Sequence, residues 1–287
     1  MRRSFDRLMT DLSDAEIAAF AERVLAEDKA GNDVTTLSVV GADIKASGRF
    51  VAREEMVLAG LGLATAIFAR LDPAVSFAPQ VKDGDAVGKG AVIADLAGPA
   101  RAILTGERSA LNTVQHLSGI ATLTRRYVDE IAGTGAVLLD TRKTIPGLRR
   151  FAKYATRVGG AHNHRMTLAD AILIKDNHIA LAGSVAAAIE TARRNSTAPI
   201  ELECDTLTQV EEALALGVTH LLLDNMTLAE MREAVALAKG RAKLEASGGV
   251  SLKTIRGIAE TGVDFISVGR LTQSAPAVDI GLDFSWK

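Results

Sequence analysis

Cysteine is almost absent. Cys204 is the only one in 287 residues, so no internal disulfide can form, which fits a reducing cytoplasm. No run of 18 apolar residues occurs, and nothing is expected to span a membrane. The opening MRRSFDRLMTDLSDAEIAAF is basic but has no apolar stretch ahead of its acids, so a secretory signal is not expected. A basic excess is missing too. Net charge is −2 and the pI is near 6.2, against a general nucleic-acid binder. There is no GxxxxGK[ST] and no GxGxxG after a strand, which excludes an ordinary NTPase and a dinucleotide fold. No Ser-His-Asp arrangement or metal-binding His/Cys spacing is found.

The chain does hold ample core material, at 48% hydrophobic and 24% charged residues. Its length allows one large α/β domain, or a barrel with a smaller domain. Residues 1–115 read as a small α+β domain. Ser13-x-x-Glu16 predicts a capped helix over about 14–28, residues 31–36 a turn, and 46–59 one or two strands. A helix is expected over 62–71, a DG turn at 83–84 and a strand over 91–96. A long helix is expected from Thr105 to about Ala132. Arg108, Asn112, Gln115, Gly119 and Thr122 form a polar stripe along one side of it, either an interhelix contact or a face that looks into a site.

From residue 116 on, strand and helix patterns alternate. Six short apolar runs recur, at 136–139, 171–174, 200–204, 219–223, 243–246 and 264–268. Thr206-x-x-Gln209 and Thr227-x-x-Glu230 open helices, and Gly217, Gly240 and Gly262 sit where helices end. Such alternation predicts a parallel sheet, open or closed into a barrel. Each run is followed by polar or small residues, and in a barrel those ends share the rim where active sites are built. Arg142, Lys175 and Glu203 are not helix-cap residues, so capping alone does not explain the pattern.

That rim divides by charge. Eight Lys/Arg lie between Arg142 and Lys175, with Asp170 the only acid there. A compact basic stretch set among Gly turns and apolar runs predicts a pocket for a small, multiply charged anion. Glu203 and Asp224 follow, a carboxylate pair suited to Mg²⁺ shared with substrate phosphates. Ser247-Gly248-Gly249 and Val268-Gly269-Arg270 are Gly-rich turns of the kind that cradle phosphate.

Several motifs together resemble the quinolinate phosphoribosyltransferase family, also called nicotinate-nucleotide pyrophosphorylase (carboxylating), of the type II phosphoribosyltransferases. They are ERSALN at 107–112, SGIAT at 118–122, DTRKTIPGLR at 140–149, NHR at 163–165, LIKDNH at 173–178, LDNM at 223–226, EASGG at 245–249 and TGVD at 261–264. The resemblance covers nearly the whole chain. It implies an open α/β barrel with a smaller N-terminal domain, the C-terminus returning toward that domain. It also implies a homodimer in which one subunit's N-terminal part completes the other's site, with larger assemblies in the family. The implied reaction converts quinolinate and 5-phosphoribosyl 1-pyrophosphate to nicotinate mononucleotide, pyrophosphate and CO2, with Mg²⁺ and no organic cofactor.

By the same resemblance, Arg108, Thr141, Arg142, Lys143, His164, Arg165 and Lys175 match quinolinate contacts. Lys143, Lys175, Glu203, Asp224, Ser247, Gly248, Gly249, Val268, Gly269 and Arg270 match contacts of the phosphoribosyl pyrophosphate. Lys143, Glu203 and Asp224 stand closest to the chemistry, the last two also toward Mg²⁺. Ala161, Thr167, Arg270 and Gln273 depart from residues common in the family. Other readings remain: a molybdenum-associated relative of the same fold, a nicotinate phosphoribosyltransferase without decarboxylation, a Schiff-base aldolase using Lys175, or a phosphate-binding module without activity.

Overall fold

The structure, a computed structural model, describes residues 11–285; the first ten residues of the basic opening lie outside the described residues. Ser13 and Glu16 close the capping box, and helix α1 (Asp14–Glu27) follows. The stretch expected as a turn at 31–36 is instead helical: a 3₁₀ turn (Ala30–Asn32), then α2 (Val34–Val39). Asp33 starts α2 by accepting the Thr36 N–H at 3.0 Å, a cap that makes a helix where Gly and Asn alone suggest a bend. Next come β1 (Lys45–Ala52), β2 (Met56–Val57), α3 (Leu61–Leu71), β3 (Ser76–Pro79), β4 (Ala86–Val87) and β5 (Val92–Pro99). The long helix α4 (Ala100–Glu130) starts earlier than Thr105, because β5 runs straight into it.

The alternation follows: β6 (Val137–Leu139), α5 (Arg149–Val158), β7 (Ile172–Ile174), α6 (Asp176–Ala182), α7 (Val185–Asn195), β8 (Ile200–Cys204), α8 (Leu207–Ala215), β9 (His220–Asp224), α9 (Leu228–Ala238), β10 (Lys243–Ser247), α10 (Ile255–Ala259), β11 (Phe265–Ser267), α11 (Arg270–Gln273) and β12 (Ile280–Ser285). All six predicted runs are strands. Helices α8 and α9 open with their capping boxes.

The chain forms two units. The first comprises residues 11–125, 151–160 and 274–285. Its antiparallel sheet has the order β12-β1-β5-β3, with β12 paired to β1 from Ser285 back to Ile280. Phe50 meets Phe77 at 5.2 Å and Phe68 at 6.3 Å in this core, each ring worth about 1.5–3 kcal/mol of burial. The polar stripe of α4 proves largely structural. Gln115 donates to the Ile280 carbonyl, Thr122 accepts the Val57 N–H, and a Cβ on Gly119 would stand 2.1 Å from the Pro276 carbonyl oxygen. Short polar residues at these spacings serve backbone groups of β2 and β12.

The second unit comprises residues 126–150 and 161–273. Its six strands are all parallel, in the order β6-β11-β10-β9-β8-β7. Leu139 of β6 also bridges His162 in parallel. The edge strands β6 and β7 do not pair, so the barrel is open, as expected. Leu202, Leu221, Leu223, Leu244, Ala246 and Ile266 are all buried, which explains why these strands read as mostly apolar.

The boundary differs from the expected 115/116. It falls at 125/126, inside α4, because a continuous helix offers no break to mark it. Most of α5 joins the first unit, where Phe151 packs on Phe20 at 4.5 Å and Tyr154 donates to Asp83 at 2.6 Å.

Candidate active site

Parallel pairing brings six C-terminal strand ends to one rim. After β6 the chain enters Asp140, Thr141, Arg142 and Lys143. Thr141 Oγ1 accepts the Lys143 N–H at 3.0 Å, and Thr272 donates to the Lys143 carbonyl at 2.7 Å, so this turn is tied down at both ends. Arg142 Nε is buried and has no hydrogen-bond partner among the described residues. A desolvated guanidinium donor left in that state is suited to a carboxylate brought by a ligand.

Lys175 follows β7, and its Nζ donates to the carboxylate of Glu203 on β8. Asp224 ends β9 and accepts from the Asn225 side chain at 2.7 Å. Asn225 takes a positive φ of 55° and donates its N–H to the Ser247 carbonyl. Ser247 ends β10, and its hydroxyl accepts from Ser267 of β11 at 3.0 Å. Gly248 and Gly249 turn away with φ of 89° and 60°. A Cβ on Gly248 would stand 2.2 Å from Asn225 Oδ1, so only glycine fits there. Val268 is buried and donates to the Leu139 carbonyl. A Cβ on Gly269 would meet Lys143 Cδ at 2.8 Å, which places the Lys143 stem across the β11 turn. Arg270 is exposed and opens α11.

Every predicted rim residue but one thus lies in the barrel unit. Arg108 is the exception. It sits on α4 in the other unit, exposed, 3.8 Å from Glu107. Thr167, which departs from the family pattern, does not loosen the loop after Arg165. Its hydroxyl and N–H, with the Met166 N–H, all donate to Asp170.

His164 and Arg165 are both buried. Asp140, fully buried, accepts the His164 N–H at 2.9 Å and the Asn163 side chain at 2.5 Å. His164 Nδ1 accepts the Arg165 N–H at 2.8 Å. Its Nε2 lies 3.3 Å from Glu201 and 3.4 Å from Glu245, both buried carboxylates. Both ring nitrogens are therefore engaged within the protein, and a direct quinolinate contact through either is not what this geometry offers. Burial and the neighbouring Arg142 pull Arg165 below the ordinary arginine value, while Glu201, Asp170 and Glu203 oppose them.

Glu201 has no role in the sequence reading, and Glu245 only a place in the EASGG motif. The signal was available: Glu201 and Glu203 are two apart on one strand and so share a face. Burial, reinforced by Glu245, pushes the Glu201 carboxyl up. Burial also works against a charged His164, but the two carboxylates outweigh it and lift the ring to about 10. Both shifts mean that the cluster keeps an extra proton. The Arg165 N–H points at Nδ1, which places the ring's hydrogen on Nε2, facing the two carboxylates.

The ligand atoms of His164, Glu201 and Glu245 all lie within 4.8 Å of one another, the spacing of a metal site. The tautomer argues against a metal. Nε2 carries the hydrogen and donates, so it has no lone pair for a cation. A cavity of about 360 Å³, beside Arg193, Ser196, Ile200 and Thr219, lies where β8 and β9 begin and is away from the rim.

An open parallel barrel with cations on one arc of its rim, carboxylates next and glycine turns last defines an enzyme that handles a sugar phosphate beside an organic anion. The comparisons agree. The C-terminal domain of quinolinate phosphoribosyl transferase matches residues 120–283, and its N-terminal domain matches 33–118. The chain belongs to the quinolinate phosphoribosyltransferase family. It is 44% identical to a probable nicotinate-nucleotide pyrophosphorylase (carboxylating) of Synechocystis, over 93% of this chain and 92% of that one. It is 42% identical to the nicotinate-nucleotide pyrophosphorylase (carboxylating) of Mycobacterium leprae, over 95% and 99%. The crystal structure of NadC from Streptococcus pyogenes superposes with a TM-score of 0.93 at 40% identity, over 97% and 100%.

Proposed function

We propose that the protein transfers the phosphoribosyl group of 5-phosphoribosyl 1-pyrophosphate to quinolinate with decarboxylation. The products are nicotinate mononucleotide, pyrophosphate and CO2, a step of de novo NAD biosynthesis. Arg142 carries the reading. Its buried, unmatched Nε stands on the cationic arc of a rim that ends in two glycine turns. Arg142 and Arg165 grip the two carboxylates of the pyridine ring, whose planar geometry suits guanidinium forks. Ser247, Gly248, Gly249 and Gly269 receive the 5′-phosphate on backbone N–H groups. Lys143, lying across the Gly269 turn, meets the pyrophosphate.

The ring nitrogen attacks the anomeric carbon as the bond to pyrophosphate breaks and its electron pair leaves with that group. The ring nitrogen becomes cationic. The bond from ring carbon to the adjacent carboxylate then breaks, its electrons remain on the ring, and a proton from solvent replaces CO2. The side chains orient and stabilise charge, and no general base is required. Lys175 and Glu203 are placed at the ribose and reactive centre. Glu203 and Asp224 offer hard oxygen donors too few for a protein-only cage, which fits a Mg²⁺ that arrives with the pyrophosphate and offsets its charge.

The family resemblance further supports a homodimer in which Arg108 enters the site of the other subunit, and a cytoplasmic location in line with the single cysteine. Carboxyl-labelled quinolinate tests the reaction. It should release CO2 only with phosphoribosyl pyrophosphate and Mg²⁺ both present.

A further inference from the structure

Two acids sit inside the barrel and take no part in the reaction described above. Glu201 comes from β8 and Glu245 from β10, two strands separated by β9. Each is only 4% exposed. Both converge on one atom, Nε2 of His164. Nε2 lies against Glu201 Oε2 and Glu245 Oε2, and Glu201 Oε2 and Glu245 Oε1 complete no hydrogen bond among the described residues. On the same face Leu222 of β9, level with Glu203 and Glu245, is buried without any polar cost. Two leucines could fill this space as well, so the acids are kept for what they hold.

What they hold is a strut. The imidazole runs from the two carboxylates at Nε2 to the Arg165 N–H at Nδ1. The His164 backbone is clamped from another side, by Asp140 at the end of β6. Arg165 is held in turn by the Ala171 carbonyl, 3.2 Å from its Nη1. The ring is the link between the carboxylates and Arg165, and Glu201 and Glu245 bear on its Nε2 end.

We propose that Glu201 and Glu245 are positioning residues for the pyridine dicarboxylate: acting through His164, they set the attitude of Arg165. This rests on the reading of Arg165 as a quinolinate contact. It predicts a selective effect. Loosening the strut weakens one substrate and leaves the phosphate side of the rim intact.

The test is steady-state kinetics on Glu201→Leu, Glu245→Leu and the matching glutamine variants, with thermal melts alongside. Glutamine keeps an oxygen that can accept from Nε2, and leucine does not. The leucine variants should raise the quinolinate KM about tenfold or more, with kcat and the phosphoribosyl pyrophosphate KM within about twofold of the parent. The glutamine variants should recover to within about threefold. Folded leucine variants with an unchanged quinolinate KM, or with both KM values raised alike, overturn the proposal. If the leucine variants do not fold, His164→Gln cuts the strut without leaving an apolar gap between carboxylates. It must raise the quinolinate KM selectively, and an unchanged value again overturns the proposal. The parent enzyme separates this from the broader reading. Failure of the parent to turn over quinolinate sinks the reaction, whereas normal turnover by the variants sinks the strut alone.

Discussion

Lys175 donates its ammonium to the carboxylate of Glu203, joining the end of β7 to β8. The pair sits between the arc assigned to the pyridine ring and the arc assigned to the sugar phosphate. Glu203 is nearly buried and Lys175 is about half exposed, so the contact adds little to stability and its value is in orientation. Glu203→Gln should lower kcat roughly 10- to 100-fold while the melting temperature changes by only a few degrees. A large loss of stability with kcat intact would make the pair structural. The same pairing counts against an aldolase. Borohydride reduction with quinolinate or a sugar phosphate should trap no adduct at Lys175.

Arg142 and Asp224 should separate the two substrates. Arg142→Ala removes a desolvated donor worth about 1.5–3 kcal/mol toward a charged partner, so the quinolinate KM should rise roughly 10- to 100-fold. Asp224→Ala should instead impair use of the Mg²⁺-bound cosubstrate, read as its KM and as the Mg²⁺ concentration for half-maximal rate. Equal effects of both variants on both substrates would contradict the division of the rim.

Gly248 offers a backbone test. Alanine there must hold a φ of 89° and bring its Cβ to 2.2 Å from Asn225 Oδ1. The strain should cost about 1–3 kcal/mol, and the displaced Asn225 should loosen both Asp224 and the phosphate turn. The KM for phosphoribosyl pyrophosphate should rise about tenfold or more, with quinolinate binding measured alone unchanged. Unaltered kinetics would show that the turn does not hold the phosphate.

Cys204 should be chemically silent. It is fully buried on β8, and burial, with Asp205 and Glu203 adding to it, pushes its thiol up to about 12. At pH 8 about one thiol in ten thousand is then thiolate, the reactive form. Iodoacetamide should label Cys204 only after unfolding, by intact-mass measurement. Rapid labelling of the folded protein at pH 8 would contradict the burial.

Much of this architecture is legible because buried parallel strands leave short, mostly apolar runs, and because helix caps carry chemical signatures. The six barrel strands and the boxes at Thr206 and Thr227 are of this kind. The rim residues follow from position alone, each just past a strand. Glu201 and Glu245 escape that logic. They lie inside strands, away from the rim, and only the two-residue spacing of Glu201 from Glu203 hints that such an acid faces the barrel. The polar stripe of α4 misled for a related reason. Thr122 and Gln115 look as specific as site residues because they make specific bonds, but to the backbone of Val57 and Ile280. The grouping of residues 151–160 with the first unit depends on Phe151 meeting Phe20 and Tyr154 meeting Asp83, contacts between positions far apart in the chain.

The central claim is the coupling of phosphoribosyl transfer to loss of one quinolinate carboxylate. Stoichiometry measures it most directly. The protein is incubated with Mg²⁺, phosphoribosyl pyrophosphate and quinolinate, and CO2, pyrophosphate and nicotinate mononucleotide are counted together. Equal amounts of all three, and no mononucleotide when nicotinate replaces quinolinate, is the predicted result. No turnover of quinolinate, or mononucleotide formed from nicotinate without CO2, would contradict it.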